Sequence, residues 1–144
     1  MLPPRSTTIG AIAQLAAPHP TPSRRRTPFQ RQAWEVIGQI VVYRSLPDGS
    51  IEVALFDDRS YIRVGMPSPD CLTKTTRARN AIVASRKALV TQCGQPRPNS
   101  PALGAVAYVA GVGFWNADRP KLQAALNGAE LQPVTSLRLI AGCR

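Results

Sequence analysis

Two runs rich in β-branched residues, Val36–Arg44 (VIGQIVVYR) and Ile51–Phe56 (IEVALF), flank the hexapeptide SLPDGS at 45–50. Pro47 presets φ at the turn and Gly49 can take the left-handed position that a tight reversal needs, so the stretch specifies a β-hairpin. A second turn, DDRS at 57–60, leads into Tyr61–Met66 (YIRVGM), and the three runs make a meander. Gly38 and Gly65, each inside a strand pattern, suit a bulge or a sharp coil of the sheet.

PSPDCL at 67–72 stops the sheet, because Pro67 and Pro69 cannot donate to a ladder. Thr73 or Thr75 can cap a following helix that runs to about Gln92. Ala78, Ile82, Ser85 and Leu89 fall on one stripe of it, with Arg79, Arg86 and Lys87 on the other side. After the loop CGQPRPNSP, Ala105–Trp115 (AVAYVAGVGFW) reads as a fourth strand and Glu130–Ile140 as a fifth, with a break at Pro133. The resulting order βββαββ predicts a mainly β protein. It is the element order of the oligonucleotide/oligosaccharide-binding (OB) fold, a five-stranded, partly open barrel whose single helix plugs one end. Other small sheets with one helix share that order.

With 144 residues, 44% of them hydrophobic, the chain supports one core and one domain. Met1–Gln32, with PP, PHPTPS and RRRTPFQR and no sustained period, is expected to be a disordered Pro/Arg-rich tail, leaving 33–144 as the barrel. Ile9–Ala17 is apolar enough for the core of a short signal peptide, but a single arginine precedes it and proline and an arginine run follow, so that reading is not the favoured one. SRRRTPF at 23–29 is followed by QRQAWE rather than an apolar segment, which rules out a twin-arginine export reading. No apolar run approaches the roughly 18 residues of a membrane span. The expected location is the cytoplasm.

The formal charge is +10, from 18 Lys plus Arg against 8 Asp plus Glu, and the cations are mostly arginine. Planar guanidinium groups pair with phosphate or carboxylate and stack on flat rings, which favours an anionic partner. A GC-rich genome would enrich arginine without any such function. Cys71, Cys93 and Cys143 match no zinc-binding spacing, and the single histidine, His19, lies in the tail, so no metal site is expected. Exported, one cysteine pair could close a disulfide and leave an odd thiol; in a reducing compartment all three would be free.

No motif supplies catalytic machinery. TKTT at 73–76 lacks the glycine-rich turn of a phosphate-binding loop, and GVGFW at 111–115 has too few glycines for a dinucleotide fingerprint. Adjacent Asp57 and Asp58 diverge on an extended chain and read as solvated turn carboxylates, while Asp118 and Glu130 lie on separate segments. With no histidine in the folded region, neither a nucleophile–base pair nor a cofactor is expected, and a non-enzymatic binding module is the favoured class.

The best constellation lies on the first three strands. If Ile40, Val42, Val53, Leu55, Ile62 and Val64 face inward, strict alternation puts Tyr43, Phe56, Tyr61 and Arg63 outside, with Arg44 and Arg59 at strand ends. Rings and guanidinium groups on that face are what such a barrel uses to stack bases and hold phosphates, so single-stranded nucleic acid is the expected partner. An acidic protein or polysaccharide is the rival, and a nuclease-like hydrolase or a protein-interaction domain the alternative class. The structural alternative is that these rings pair across strands for stability, and a one-residue slip of register would empty the face.

The hairpin followed by PSPDC (Pro67–Cys71), the later GVGFW and the closing NGAELQPV (Asn127–Val134) resemble a group of uncharacterised small bacterial proteins, over about Trp34–Ile140. That group closes with Asn-Gly-x-Glu-Leu-His-Pro-Val. The resemblance implies an OB-like barrel and no established activity. Gln132 stands where the group has histidine, and glutamine neither carries a proton near neutral pH nor binds metal well. In this stretch Asn127-Gly128 reads as the turn into the last strand, and Glu130 as the one candidate site member.

Overall fold

The computed structural model describes residues 3–73, 78–99, 103–118 and 122–143. In chain order the elements are β1 (Arg5–Ser6), α1 (Ile9–Ala13), a 3-10 turn (Phe29–Arg31), β2 (Ala33–Ser45), β3 (Ile51–Phe56), β4 (Tyr61–Met66), α2 (Arg79–Cys93), β5 (Val106–Trp115) and β6 (Ala129–Ala141). The β2–β3–β4 meander forms as the turn chemistry predicts. Its alternation buries Ile51, Val53, Leu55, Ile62, Val64 and Met66 and leaves Glu52, Phe56, Tyr61 and Arg63 half-buried outside.

Strand β2 is long enough to serve two partners. Its first half, Ala33–Gln39, pairs antiparallel with β5, and its second half pairs with β3. Strand β5 pairs with β6, and β6 returns parallel to β4 through Arg63–Glu130 and Val64–Leu131. The circuit β2-β3-β4-β6-β5-β2 therefore closes. The barrel, expected to be partly open, is closed by the β2–β5 pairing, and with its helix between the third and fourth barrel strands it has the OB fold. Pro133 sits inside β6 where the β5–β6 register shifts, the irregularity a non-donating residue requires.

Three expectations are corrected. Helix α2 begins at Arg79 behind Ala78, so Thr73 lies outside it, and Thr75 falls outside the described residues. Its inward stripe is as expected: Ile82, Ser85 and Leu89 are buried. The β2–β3 register shifts between Ile40 and Val42, and this bulge reverses the alternation beyond it. Val42 is consequently only half-buried, and Tyr43, expected outside, is in the core at 2% exposure.

The third correction is the N-terminal segment. Expected as a disordered tail, it is packed on the barrel. Strand β1 runs parallel to the start of β2, and the Thr8 hydroxyl accepts from Ala11 N to cap α1. Ile9 and Ile12 are buried at 0% and 2% exposure. Gly38 makes the room: a Cβ there would meet Ile9 Cδ1 at 2.9 Å and Leu55 Cβ at 3.0 Å. Further on, Phe29 packs against Trp34 and Trp115, with ring centroids 6.1 and 4.9 Å away. A Cβ on Gly113 would overlap the Phe29 carbonyl. Both in-strand glycines are thus landing sites for this segment. Burying each such side chain is worth roughly 1.5–3 kcal/mol, which offsets the entropy of ordering a proline-rich stretch.

Cys93, at the end of α2, and Cys143, just beyond β6, form a disulfide across a sequence separation of 50, and Cys71 is free and exposed. The bond ties the helix to the last strand. In a reducing cytoplasm this pair would open, so its contribution depends on an oxidising compartment. Among the described residues, no helix is long and apolar enough to cross a membrane.

Two outcomes are expected in urea unfolding. Ile12→Ala and Phe29→Ala should each cost about 2–5 kcal/mol, the range for large-to-small core changes; losses near zero would mean the segment is not part of the core. Cys143→Ser should cost up to about 4 kcal/mol by loop-closure entropy, an effect that reductant should reproduce in the native protein and leave absent in the variant.

Candidate functional site

The outer face of β3 and β4 is continued by β6, whose Glu130 is in register with Arg63. Glu52 is the hub. Arg44 Nε donates to Glu52 Oε1 at 2.8 Å and Arg63 Nη1 to Glu52 Oε2 at 3.1 Å. Arg63 also donates from Nη2 to the Leu122 carbonyl at 2.7 Å and from Nε to the Gln123 carbonyl at 3.3 Å. Its guanidinium therefore clamps the segment before β6 onto the barrel. The sequence placed Arg63 outside correctly, but the group is committed to protein partners, and Arg44 is half committed.

Phe56 and Tyr61 are cross-strand neighbours at the β3–β4 turn, with rings stacked at 4.5 Å and 30°. Arg59 is exposed in the turn between them, and Asp57 Oδ1 accepts from the backbone N–H of Arg59 and Ser60. Asp57 is thus a turn-former. Phe56, Arg59 and Tyr61 come together; Tyr43 does not join them. Its hydroxyl donates to the Gly94 carbonyl, pinning the end of α2, and burial pushes its pKa up.

Beside this face lies a groove of about 630 Å³, lined by Glu52, Arg63, Phe114, Asn116, Glu130 and Gln132 among others. Glu130 is 6% exposed and accepts from Asn116 Nδ2 and Gln132 Nε2, each at 2.8 Å. Asp48, Glu52, Asp118 and Glu130 all line the groove, half of the eight acidic residues of a chain with net charge +10. Arg25 and Arg63 also line it, so the four carboxylates exceed the cations of the lining by two, a balance that suits hydrogen-bond donors better than phosphate. No group of three or more His, Cys, Asp or Glu is placed to hold a metal ion among the described residues.

Sequence reasoning missed Arg25. Its guanidinium donates to the carbonyls of Gly113 and Gln132 and lies 5.9 Å from the Phe114 ring centroid, bridging β5 and β6 at the groove's rim. Nothing local distinguishes Arg25 from its neighbours in the arginine run; only the docking of Phe29 selects it. Asn127 of NGAELQPV was likewise more than a turn. Its side-chain amide donates to the carbonyls of Ile12 and Leu15, holding the end of α1.

Burial raises the Glu130 pKa, while hydrogen bonds from Asn116 and Gln132 and the charge of Arg63 pull it back. A raised carboxyl contributes stability that is present in full below its unfolded pKa and is lost as pH rises through the folded value. Relative to Glu130→Gln, the native protein should therefore lose stability as pH rises from about 4.3, until the folded pKa is passed. Parallel unfolding curves across that window, or a difference of opposite slope, would contradict this burial effect.

No protein-family model matches the sequence, and no curated protein matches it. Solved structures share the fold. They include aspartyl-tRNA synthetase of Entamoeba histolytica, with TM-score 0.57 and 12% identity over 97% of this chain and 22% of that one. Asparaginyl-tRNA synthetase of the same organism, bound to asparaginyl-adenylate, matches with TM-score 0.53 and 12% identity over 98% and 24%. A Leishmania major protein described as an aspartyl-tRNA synthetase matches with TM-score 0.56 and 7% identity over 96% and 21%. The chain spans about a fifth to a quarter of each, and at these identities the likeness is one of fold.

Proposed function

We propose that the barrel is a non-enzymatic module that binds single-stranded nucleic acid at the β3–β4 hairpin end. The observation that carries this reading is the stacked Phe56–Tyr61 pair beside exposed Arg59, on the outer face of an OB barrel with charge +10. Aromatic faces accept any base, and a guanidinium at the same turn can meet the adjoining phosphate. The solved structures of like fold belong to tRNA synthetases, enzymes whose name specifies a nucleic-acid substrate. Arg44 and Arg63 act through Glu52 to hold the face in shape, and Tyr43 supports it from the core.

The test is fluorescence anisotropy with a labelled single-stranded oligonucleotide, with heparin as competitor. Removing one stacking ring costs about 1–3 kcal/mol per base, so Tyr61→Ala or Phe56→Ala should weaken binding about 5- to 150-fold. Unchanged affinity in both variants would show that this face is not the reader. Equal competition by heparin and DNA at matched charge would reduce the interaction to polyanion attraction.

A further inference from the structure

The arginine run at 24–26 is held on the barrel by buried machinery. Gln30, 2% exposed, accepts at Oε1 from Arg26 N at 3.2 Å, Thr27 N at 3.2 Å and the Thr27 hydroxyl at 3.1 Å. Trp115 Nε1 donates to Thr27 Oγ1 and Trp34 Nε1 to the Phe29 carbonyl, each at 3.0 Å. Arg25, itself exposed, is held by its bonds to the Gly113 and Gln132 carbonyls of β5 and β6. The arginines on either side of it, Arg24 and Arg26, are left exposed, and so is Arg31 one turn later. None of the three forms an ion pair among the described residues.

We infer that Arg24, Arg26 and Arg31, presented by the segment Arg24–Gln32 that the Gln30 latch holds, are a preorganised site for the phosphodiester backbone of the single strand. The inference rests on the reading above and extends it. That face needs a phosphate site elsewhere: Glu52 occupies Arg44 and Arg63, and the adjoining groove carries four carboxylates. Arg25 lines that groove, and together with Arg31 it lines a second cavity of about 430 Å³. The segment thus borders a groove that reaches Arg63, two residues along β4 from Tyr61 and on the same face. A loose arginine tail must be ordered when it binds, at roughly 1–2 kcal/mol per residue. Here folding has already fixed the backbone, so more of each charge-assisted interaction appears as affinity.

The experiment is a salt titration of oligonucleotide affinity for the full chain, for Arg24→Ser/Arg26→Ser/Arg31→Ser, and for an equal-charge control, Lys87→Ser/Arg97→Ser/Arg138→Ser, built on exposed cations of other elements. The first variant should bind at least about tenfold more weakly, with the slope of log affinity against log salt smaller by about 2, near 0.7 for each phosphate no longer neutralised. The control should change much less. Native-like binding by the first variant, or equal losses in both, would overturn the inference while leaving the Tyr61 result to decide the parent reading. A native protein that binds no single strand would overturn both.

Discussion

The structure depends on a close approach of two backbones. Gly113 lacks a Cβ, and the Phe29 carbonyl occupies the space a Cβ would take. That contact seats the Phe29 ring against Trp34 and Trp115, and the three rings cover the end of the barrel where β2 and β5 begin and finish their pairing. Gly38 does the same for Ile9 at the opposite end of the segment. With both ends docked, a proline-rich stretch with little regular structure becomes a layer of the core, and the polar groups around it find partners. Gln30 gathers the backbone between Arg26 and Thr27, Asn127 closes α1, and Arg25 ties β5 to β6.

The same docking organises charge. A chain with +10 net charge could have spread its arginines evenly, yet half of its acidic residues gather in one groove. Glu52 pairs with both arginines nearest the barrel's outer face and cancels one of their two charges, and Glu130 is buried among amide donors. Free positive charge is displaced to the turn at Arg59 and to the latched segment. On the proposed reading, bases and phosphates would fall on different elements, the rings of the hairpin for one and the arginine segment for the other.

Much of the barrel was legible because its signals are local. Pro-Asp-Gly between β-branched runs specifies the hairpin, and the bounds of β3 and β4 follow from alternation alone. Tyr43 was misplaced because a single extra residue at Val41 inverts the face beyond it, and nothing in the sequence VIGQIVVYR marks where that bulge falls. The N-terminal segment was missed for a different reason. It contributes isolated anchors, Ile9, Ile12 and Phe29, in pieces too short to show a period, and their complements are glycines on distant strands. Those glycines were visible as anomalies, but an in-strand glycine serves a bulge as readily as a docking site. At the site, the burial of Glu130 and the engagement of Arg63 depend on the parallel β4–β6 closure, a long-range pairing that no local pattern encodes.

Native-state hydrogen exchange tests most directly whether the N-terminal segment is part of the fold. The amides of Thr7, bonded to the Glu35 carbonyl at 2.9 Å, and of Gln30, bonded to the Thr27 carbonyl at 3.0 Å, report the two docked ends. The amides of Arg26 and Thr27 report the Gln30 latch. If the segment is a layer of the core, these amides are protected by a free energy approaching that of global unfolding, alongside those of β2 and β5. Exchange at open-chain rates before Ala33, with the barrel strands still protected, would contradict this and return the arginines to a loose tail.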